Sequence, residues 1–217
     1  MQNVLLINGH QPYPFAPGRF NRTLTEIARD HLEARGYAVR ITEVAGGDGW
    51  DVAAEVEAHR WADAVLMQFP VNWMMTPWSL KKYMDEVYTA GMDGRMCEGD
   101  GRHGPGQDER YGLGGTLTDT SYMLSLTFNA PRDAFDNPDA PFFEGRSVDD
   151  LLWPMHLNAR FFGMRPLPTF AAHDVMKNPD VEGDLARFHA HLERHFPGAS
   201  ADRPVPAEAP AHLTEAA

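Results

Sequence analysis

The chain has 217 residues, a formal net charge of −12 and one cysteine, Cys97. This length supports one sizeable hydrophobic core, and the negative charge argues against nucleic acid, whose phosphates require a basic surface. A single cysteine excludes an intrachain disulfide and favours a reducing, cytoplasmic setting. No run of about 18 apolar residues is present, so we expect no integral membrane segment, and the N-terminus lacks the features of a signal peptide.

Apolar segments alternate with helical patterns in the first part of the chain. A first strand is predicted at Asn3–Asn8, and a helix beginning near Asn21 is expected to end at Gly36, a residue typical of helix C-termini. A second strand is predicted at Tyr37–Val44. Asp51 is then expected to cap a second helix.

The same alternation continues in the middle of the chain. A third strand is predicted at Ala64–Phe69, and Thr76 and Pro77 are expected to start the third helix as its cap and its first residue. The segment Gly91–Gly115 is rich in glycine and charge, and a loop of this length is typical of a lid, a partner contact or a disordered segment. A fourth strand is predicted at Tyr122–Thr127.

The remaining predicted elements are a fourth helix at Val148–Phe162, a fifth strand at Leu167–Ala172 and a closing helix at Val181–His195. Residues 197–217 contain almost no large apolar side chains, so we expect a disordered tail after a single domain at 1–196. Five strand–helix units predict a three-layer α/β fold with a five-stranded parallel sheet in the order 2-1-3-4-5.

In this class of fold, ligands bind beyond the carboxyl ends of strands 1, 3 and 4. Three loops follow these strands here: the first loop at residues 9–20, the second loop at 70–76 and the third loop at 128–136. The first of the three loops there lacks the glycine patterns of dinucleotide folds and P-loops. Asn21 and Thr23, with the free N–H groups of the helix and Arg19 or Arg22, suit a pyrophosphate. The alternative interpretation, in which Asn21 only caps the helix, fits the sequence equally well.

The second and third loops contain groups that suit a flat heteroaromatic ring. Phe69 and Trp73 lie beside the proline of the second loop, although Trp73 taken alone fits an ordinary core residue better. Phe128 and Asn129 begin the third loop, where backbone amides would stabilise the negative charge of a reduced flavin.

Several longer segments lie in one register from Val4 to about Phe196. They are INGH, NRTLTE, LMQFPVNWMMTPWSLKKYMDEVY, YGLGG, YMLSLTFNAP and LWPMHLNARFFGMRPLPTF. Together they resemble the modulator of drug activity B family of flavodoxin-like quinone reductases. The resemblance implies a flavodoxin-like homodimer that binds FAD and reduces quinones with NADPH by two-electron hydride transfer in a ping-pong cycle.

The resemblance also implies a cofactor site. Its residues are Gly18, Phe20, Asn21, Thr23, Pro70, Val71, Asn72, Trp73, Tyr111, Thr127, Phe128, Asn129 and Ala130. Two positions depart from the family pattern: Ala16 replaces a hydroxyl residue near the phosphates, and Asn72 replaces an aromatic residue. The third loop lacks the Tyr and His of the related vertebrate enzymes. No catalytic acid or base is therefore assigned, and Tyr111 and solvent are the candidate proton donors.

Two other functions fit the same sequence. An ancillary subunit of a potassium-efflux system would use the fold as a ligand sensor, and an FMN-dependent azoreductase or nitroreductase-like enzyme would share the ring-binding chemistry. The chain has ten histidines, and His191 and His195 share one helix face. Without a motif such as HExxH we predict no metal site.

Overall fold

The structure is a computed structural model and describes residues 1–199. Its strands are β1 (Asn3–Asn8), β2 (Ala38–Glu43), β3 (Ala64–Pro70), β4 (Ser121–Thr127), β5 (Arg165–Pro166) and β6 (Phe170–Ala172). Its helices are α1 (Arg19–Ala34), α2 (Val52–Trp61), α3 (Trp78–Gly91), α4 (Val148–Leu151), α5 (Trp153–Phe161) and α6 (Val181–His195).

All strand pairs of the sheet are parallel, in the order β2-β1-β3-β4, and β5 and β6 both pair with β4. The predicted order is confirmed. The predicted continuous fifth strand is wrong in its extent, because the chain leaves the ladder between β5 and β6, around Pro168. Proline has no N–H group to donate to a ladder, so a break at this position is expected on physical grounds.

Helices cover both faces of the sheet and produce the predicted three layers. Leu5 and Ile7 of β1 face the core that packs against α2, α3 and α5. Val4 and Leu6, which alternate with them, face the core formed with α1 and α6. Burial on both faces explains why the strands are continuous apolar runs in the sequence.

The caps of two helices are as predicted. The Asp51 carboxylate accepts a hydrogen bond from the Ala54 N–H at 2.8 Å, and Gly36 follows α1 with φ 83°. Thr76 is not the cap of α3, because the helix begins at Trp78 and Pro77 holds the extended cap position.

The predicted fourth helix is two helices in the structure. Leu152 separates α4 from α5, and Pro154 lies in the first turn of α5, where its missing N–H costs no helical hydrogen bond. Ser147 starts α4 with a capping box formed with Asp150.

The C-terminal segment extends the contacts of α6 toward the end of α1. The Arg35 side chain donates to the carbonyl of Pro197 at 2.9 Å, and the Ala199 N–H donates to the Arg35 carbonyl at 3.0 Å. The rest of the predicted disordered tail, 200–217, lies outside the described residues, and the domain boundary at 196 stays a prediction. No helix within residues 1–199 is long and apolar enough to cross a membrane.

Candidate functional site

Two neighbouring cavities lie at the carboxyl ends of β1, β3 and β4. The helix cavity, about 530 Å³, is bounded by the first loop, the start of α1 and the second loop. The loop cavity, about 430 Å³, is bounded by the second loop and by the segment after β4. Val71, Trp73 and Asn129 line both cavities, so the two spaces meet at these side chains.

The structure brings most of the predicted site residues together here. The helix cavity is lined by Gly18, Phe20, Asn21, Pro70, Val71, Asn72, Trp73, Thr127 and Asn129. Phe128 and Ala130 line the adjoining loop cavity.

The structure does not bring Thr23 or Tyr111 to either cavity. Thr23 lies one turn inside α1, and its hydroxyl donates to the Arg19 carbonyl at 3.1 Å. The Tyr111 ring is 65% exposed and packs edge-on against Phe161 of α5, with 6.3 Å between ring centroids. Within one chain, Tyr111 is therefore not placed to donate a proton at the site.

The N-terminus of α1 opens toward the helix cavity without a side-chain cap. Gly18 is the N-cap residue with φ 77°, and no acidic side chain lies in the first turn. The first-turn N–H groups of a helix have no intrahelical acceptor, and they attract anions. Arg19 also lines the cavity and adds a positive charge. This arrangement suits a phosphate or pyrophosphate group.

Gly18 is required by its surroundings as well as by its backbone angle. A Cβ atom at this position would lie 2.0 Å from the ring of His10. The His10 ring is buried, and its Nε2 is 3.3 Å from the Ala16 carbonyl oxygen. Burial lowers the pKa of His10, so the imidazole is neutral at neutral pH.

A chain of hydrogen bonds crosses four strands directly beneath the helix cavity. Ser125 Oγ donates to Gln68 Oε1 at 2.6 Å, and Gln68 Nε2 donates to Asn21 Oδ1 at 2.9 Å. Asn21 Nδ2 donates to Asn8 Oδ1 at 2.5 Å, and Asn8 Nδ2 donates to Glu43 at 2.8 Å. Every donor points toward the Glu43 carboxylate, so the bonds polarise one another in the same direction.

The structure rules out one of the two interpretations of Asn21. The cap of α1 is Gly18, so the interpretation of Asn21 as a helix cap is wrong. Its side chain is 3% exposed and lines the cavity while its carbonyl oxygen accepts from Gln68. One amide N–H of Asn21 remains after the bond to Asn8 and is available to a ligand.

The second loop contains a tight turn with unusual backbone angles. Asn72 and Met75 exchange both backbone hydrogen bonds, and the two residues between them have positive φ angles, 49° at Trp73 and 64° at Met74. Such turns usually contain glycine or asparagine, and a non-glycine residue in this region costs about 1–3 kcal/mol. Strain of this kind is a common sign of a functional site.

The side chain of Trp73 is 93% exposed although it lines both cavities. The interpretation of Trp73 as an ordinary core residue is therefore wrong. An indole ring held in solvent at the junction of two cavities is placed to cover a flat ligand.

The first loop contributes residues that the sequence analysis did not assign. Tyr13 and Ala16 form a second tight turn, and the rings of Tyr13 and Phe15 stack with centroids 5.8 Å apart. His10, Tyr13, Phe15 and Met176 line the helix cavity. The sequence signal was the aromatic pair within QPYPF, but its stacking depends on the turn that brings the rings together.

A doubly wound parallel sheet with an anion-suited helix N-terminus and a largely apolar cavity at the strand ends defines a flavodoxin-like protein. The family model described as flavodoxin-like fold matches residues 2–196, and the chain belongs to this family. Within the family it groups with modulator of drug activity B. It is 44% identical over 194 residues to the NADPH:quinone oxidoreductase MdaB of Haemophilus influenzae, covering 89% of this chain and 99% of that protein.

Two further proteins are similar to this chain. An uncharacterized protein of Schizosaccharomyces pombe is 44% identical over 198 residues, covering 91% of this chain and 99% of that protein. A Klebsiella pneumoniae structure assigned as a quinone reductase has a TM-score of 0.71 and 23% identity, covering 95% of this chain and 88% of that one. The second similarity shows the fold alone.

Within the part of the chain that the structure describes, no group of three or more His, Cys, Asp or Glu side chains is arranged to hold a metal ion. The histidines near the end of α6 are instead engaged in the fold. His191 Nε2 lies 2.9 Å from the Pro168 carbonyl, and the rings of His191 and His195 are 4.6 Å apart.

Proposed function

We propose that this protein is an FAD-dependent NADPH:quinone oxidoreductase that reduces quinones by two electrons at once. The observation that carries the proposal is the junction of the two cavities at Trp73, between an anion-suited helix end and a largely apolar cavity. The 44% identity to the MdaB quinone oxidoreductase supports it.

The helix cavity supports FAD as the cofactor. Its floor at Gly18 has no room for a Cβ atom, and the α1 N–H groups, Arg19 and the free N–H of Asn21 offer donors to a pyrophosphate. The cavity also reaches the stacked Tyr13 and Phe15 rings, which suit an adenine. FMN has no adenine and would leave this part of the cavity unused.

The loop cavity supports a site for the flavin ring. The flavin supplies the hydride chemistry, and the chain orients the rings and excludes water. Trp73 and Val71 form apolar walls, while Phe128, Asn129 and Ala130 supply the wall after β4. Because one space serves both substrates, NADPH and the quinone bind in turn, which is a ping-pong cycle.

The mouth of the site supports a homodimer. Five large apolar side chains around it are 41% to 93% exposed. They are Phe15, Trp73, Met74, Phe142 and Met176. Clusters of exposed apolar side chains mark interaction sites. A second copy of the chain would cover them and close the open side of the cavities. A cytoplasmic location fits the single buried cysteine, Cys97.

The first test is to release the bound cofactor by heat and identify it by chromatography. We expect FAD. Release of FMN would support the azoreductase-like alternative, and a purified protein that binds neither flavin would contradict the proposal.

The second test is steady-state kinetics with NADPH and menadione. We expect rapid NADPH consumption only when the quinone is present, with the parallel double-reciprocal lines of a ping-pong cycle. Equal NADPH consumption with and without quinone would contradict quinone reductase activity and leave only an oxidase or a ligand sensor such as the ancillary subunit.

A further inference from the structure

A third cavity, of about 460 Å³, lies beyond β6 at the edge of the sheet. We call it the edge cavity. Its walls come from β6, α6 and the segments around the 3-10 turn Arg132–Ala134 and the start of α4. The cofactor proposal does not use this space.

The edge cavity collects positive charge from two sides. Arg187, His191 and Arg194 lie at i, i+4 and i+7 on α6, so they share one helix face, and Ala190 between them leaves room above it. Arg132 lines the same cavity from the segment after β4. Arg187 and Arg194 thus lie about two helical turns apart, and the third arginine comes from a different segment of the chain.

The ion pairs of the described residues leave two of these arginines without a carboxylate partner. Arg187 pairs with Asp180 at 3.5 Å and with Asp184. No ion pair within residues 1–199 involves Arg132 or Arg194. In a chain with a net charge of −12, where carboxylates outnumber basic groups, two arginines without an ion-pair partner in one cavity make this cavity suited to an anion.

The two carboxylates of the lining, Asp136 and Asp149, offset part of this charge. Asp149 accepts hydrogen bonds from Thr169 Oγ1 at 2.6 Å, and His156 Nε2 lies 3.1 Å from it, so it is held against the wall. Asp136 is the other carboxylate in the lining and offsets one arginine. Burial lowers the pKa of His173 and of His191, so both rings are neutral at neutral pH and offer polar atoms rather than charge.

A single layer of side chains separates the edge cavity from the loop cavity. Phe128 lines the loop cavity, and His173 lines the edge cavity. Their rings stack with centroids 5.4 Å apart and planes 11° from parallel. Pro131 lines the loop cavity and the next residue, Arg132, lines the edge cavity. A dinucleotide with one ring in the loop cavity can therefore extend around this segment toward the arginines.

We propose that the edge cavity binds the 2′-phosphate of NADPH, with Arg132 and Arg194 as the residues that select NADPH over NADH. This inference rests on the proposed function, because it assigns a place to the reductant of that reaction. A phosphate monoester carries up to two negative charges, and guanidinium groups bind it with paired hydrogen bonds. NADH lacks this phosphate and gains nothing from the two arginines.

The test uses the purified holoenzyme and the variant carrying both Arg132→Ala and Arg194→Ala. Calorimetry measures binding of 2′,5′-ADP, which carries the 2′-phosphate but needs no turnover. We expect the double variant to bind it at least about tenfold more weakly. Arg146→Ala is the matched control, since Arg146 is an exposed arginine outside the edge cavity and should leave the affinity unchanged.

Kinetics with menadione provide the second readout. In the double variant the KM for NADPH should rise about tenfold, while kcat and the KM for NADH stay the same. Unchanged 2′,5′-ADP affinity and unchanged KM for NADPH would overturn the proposal. Inorganic phosphate binding as tightly as 2′,5′-ADP, with the same dependence on the arginines, would also overturn it and indicate a site for free phosphate.

Failure of the proposed function would look different. A protein without quinone reductase activity that still binds 2′,5′-ADP through Arg132 and Arg194 would support the edge cavity as the 2′-phosphate site and contradict only the reductase assignment.

Discussion

Gln68 donates its side-chain Nε2–H to Oδ1 of Asn21 at 2.9 Å and thereby joins the middle of the sheet to the first turn of α1. The bond occupies the carbonyl end of the Asn21 amide, so the NH₂ end must supply any donor to the helix cavity. Because Ser125 fixes Gln68 in turn, this orientation exists before a ligand arrives. Preorganised donors bind more tightly because less ordering is needed on binding.

Replacing Gln68 by leucine tests this role. The change keeps the side-chain size but leaves Asn21 Oδ1 and Ser125 Oγ without their partner, which should lower the free energy of unfolding by about 1–3 kcal/mol. FAD affinity should fall roughly tenfold, measured by fluorescence titration of the flavin-free protein. Thr120→Val is the control, because this buried hydroxyl donates to the Ala62 carbonyl at the far end of β4. Equal loss of FAD affinity in both variants would show that only general destabilisation is involved.

Gly18→Ala should remove the phosphate cradle. The added Cβ would lie 2.0 Å from the His10 ring, in a residue whose φ is 77°, so the loop or α1 must shift. We expect loss of FAD during purification, measured by the ratio of flavin to protein absorbance. Gly49→Ala has a comparable angle, φ 92°, but meets nothing within 4 Å, so it should keep its flavin. A flavin content in Gly18→Ala equal to that of the Gly49 variant would contradict this account of the cradle.

Trp73→Ala should separate function from stability. The side chain is 93% exposed, so its removal should change the melting temperature little. Affinity for FAD or for the quinone should nevertheless fall, because the indole covers the junction of the two cavities. Met92→Ala is the control, as Met92 is 48% exposed and lines neither cavity. Unchanged affinities in the Trp73 variant would remove this residue from the site.

His195 should make the protein less stable in acid. Burial, with His191 and the charge of Arg194 nearby, lowers its pKa from 6.5 to about 4. The unfolded chain therefore binds the proton more readily, so the contribution of this residue is complete above about pH 6.5 and is lost as the pH falls toward 4. Urea denaturation across this range should show a shallower pH dependence for His195→Gln. The exposed His189, changed to Gln on the same helix, serves as control and should keep the wild-type slope.

Much of the fold was predictable, because parallel strands buried on both faces are continuous apolar runs, and such runs can be recognised in the sequence. The exact path of the fifth strand was not, because Arg165 and Phe170 pair with opposite ends of β4 through contacts distant in sequence. The prediction of Thr76 as the cap of α3 is wrong, because a proline fits both the cap and the first helical position and the local sequence does not distinguish them.

The candidate site was predictable as three loops but not in its details. Nothing local distinguishes a solvent-exposed Trp73 in a left-handed turn from a buried one. Tyr111 belongs to a long loop whose direction depends on contacts such as that with Phe161. The sequence contains only part of the edge cavity's pattern, the spacing of Arg187, His191 and Arg194 along α6. Arg132 joins them only through the tertiary fold.

The turn at Trp73 and Met74 sets a limit on how stable this protein can become without changing its chemistry. Glycine at Met74 would adopt the φ of 64° at no steric cost and should relieve roughly 1 kcal/mol of strain. It would also free the indole to sample orientations that no longer cover the cavity junction. A thermostabilised variant with glycine there should trade turnover for heat resistance, and stabilising changes are better placed elsewhere.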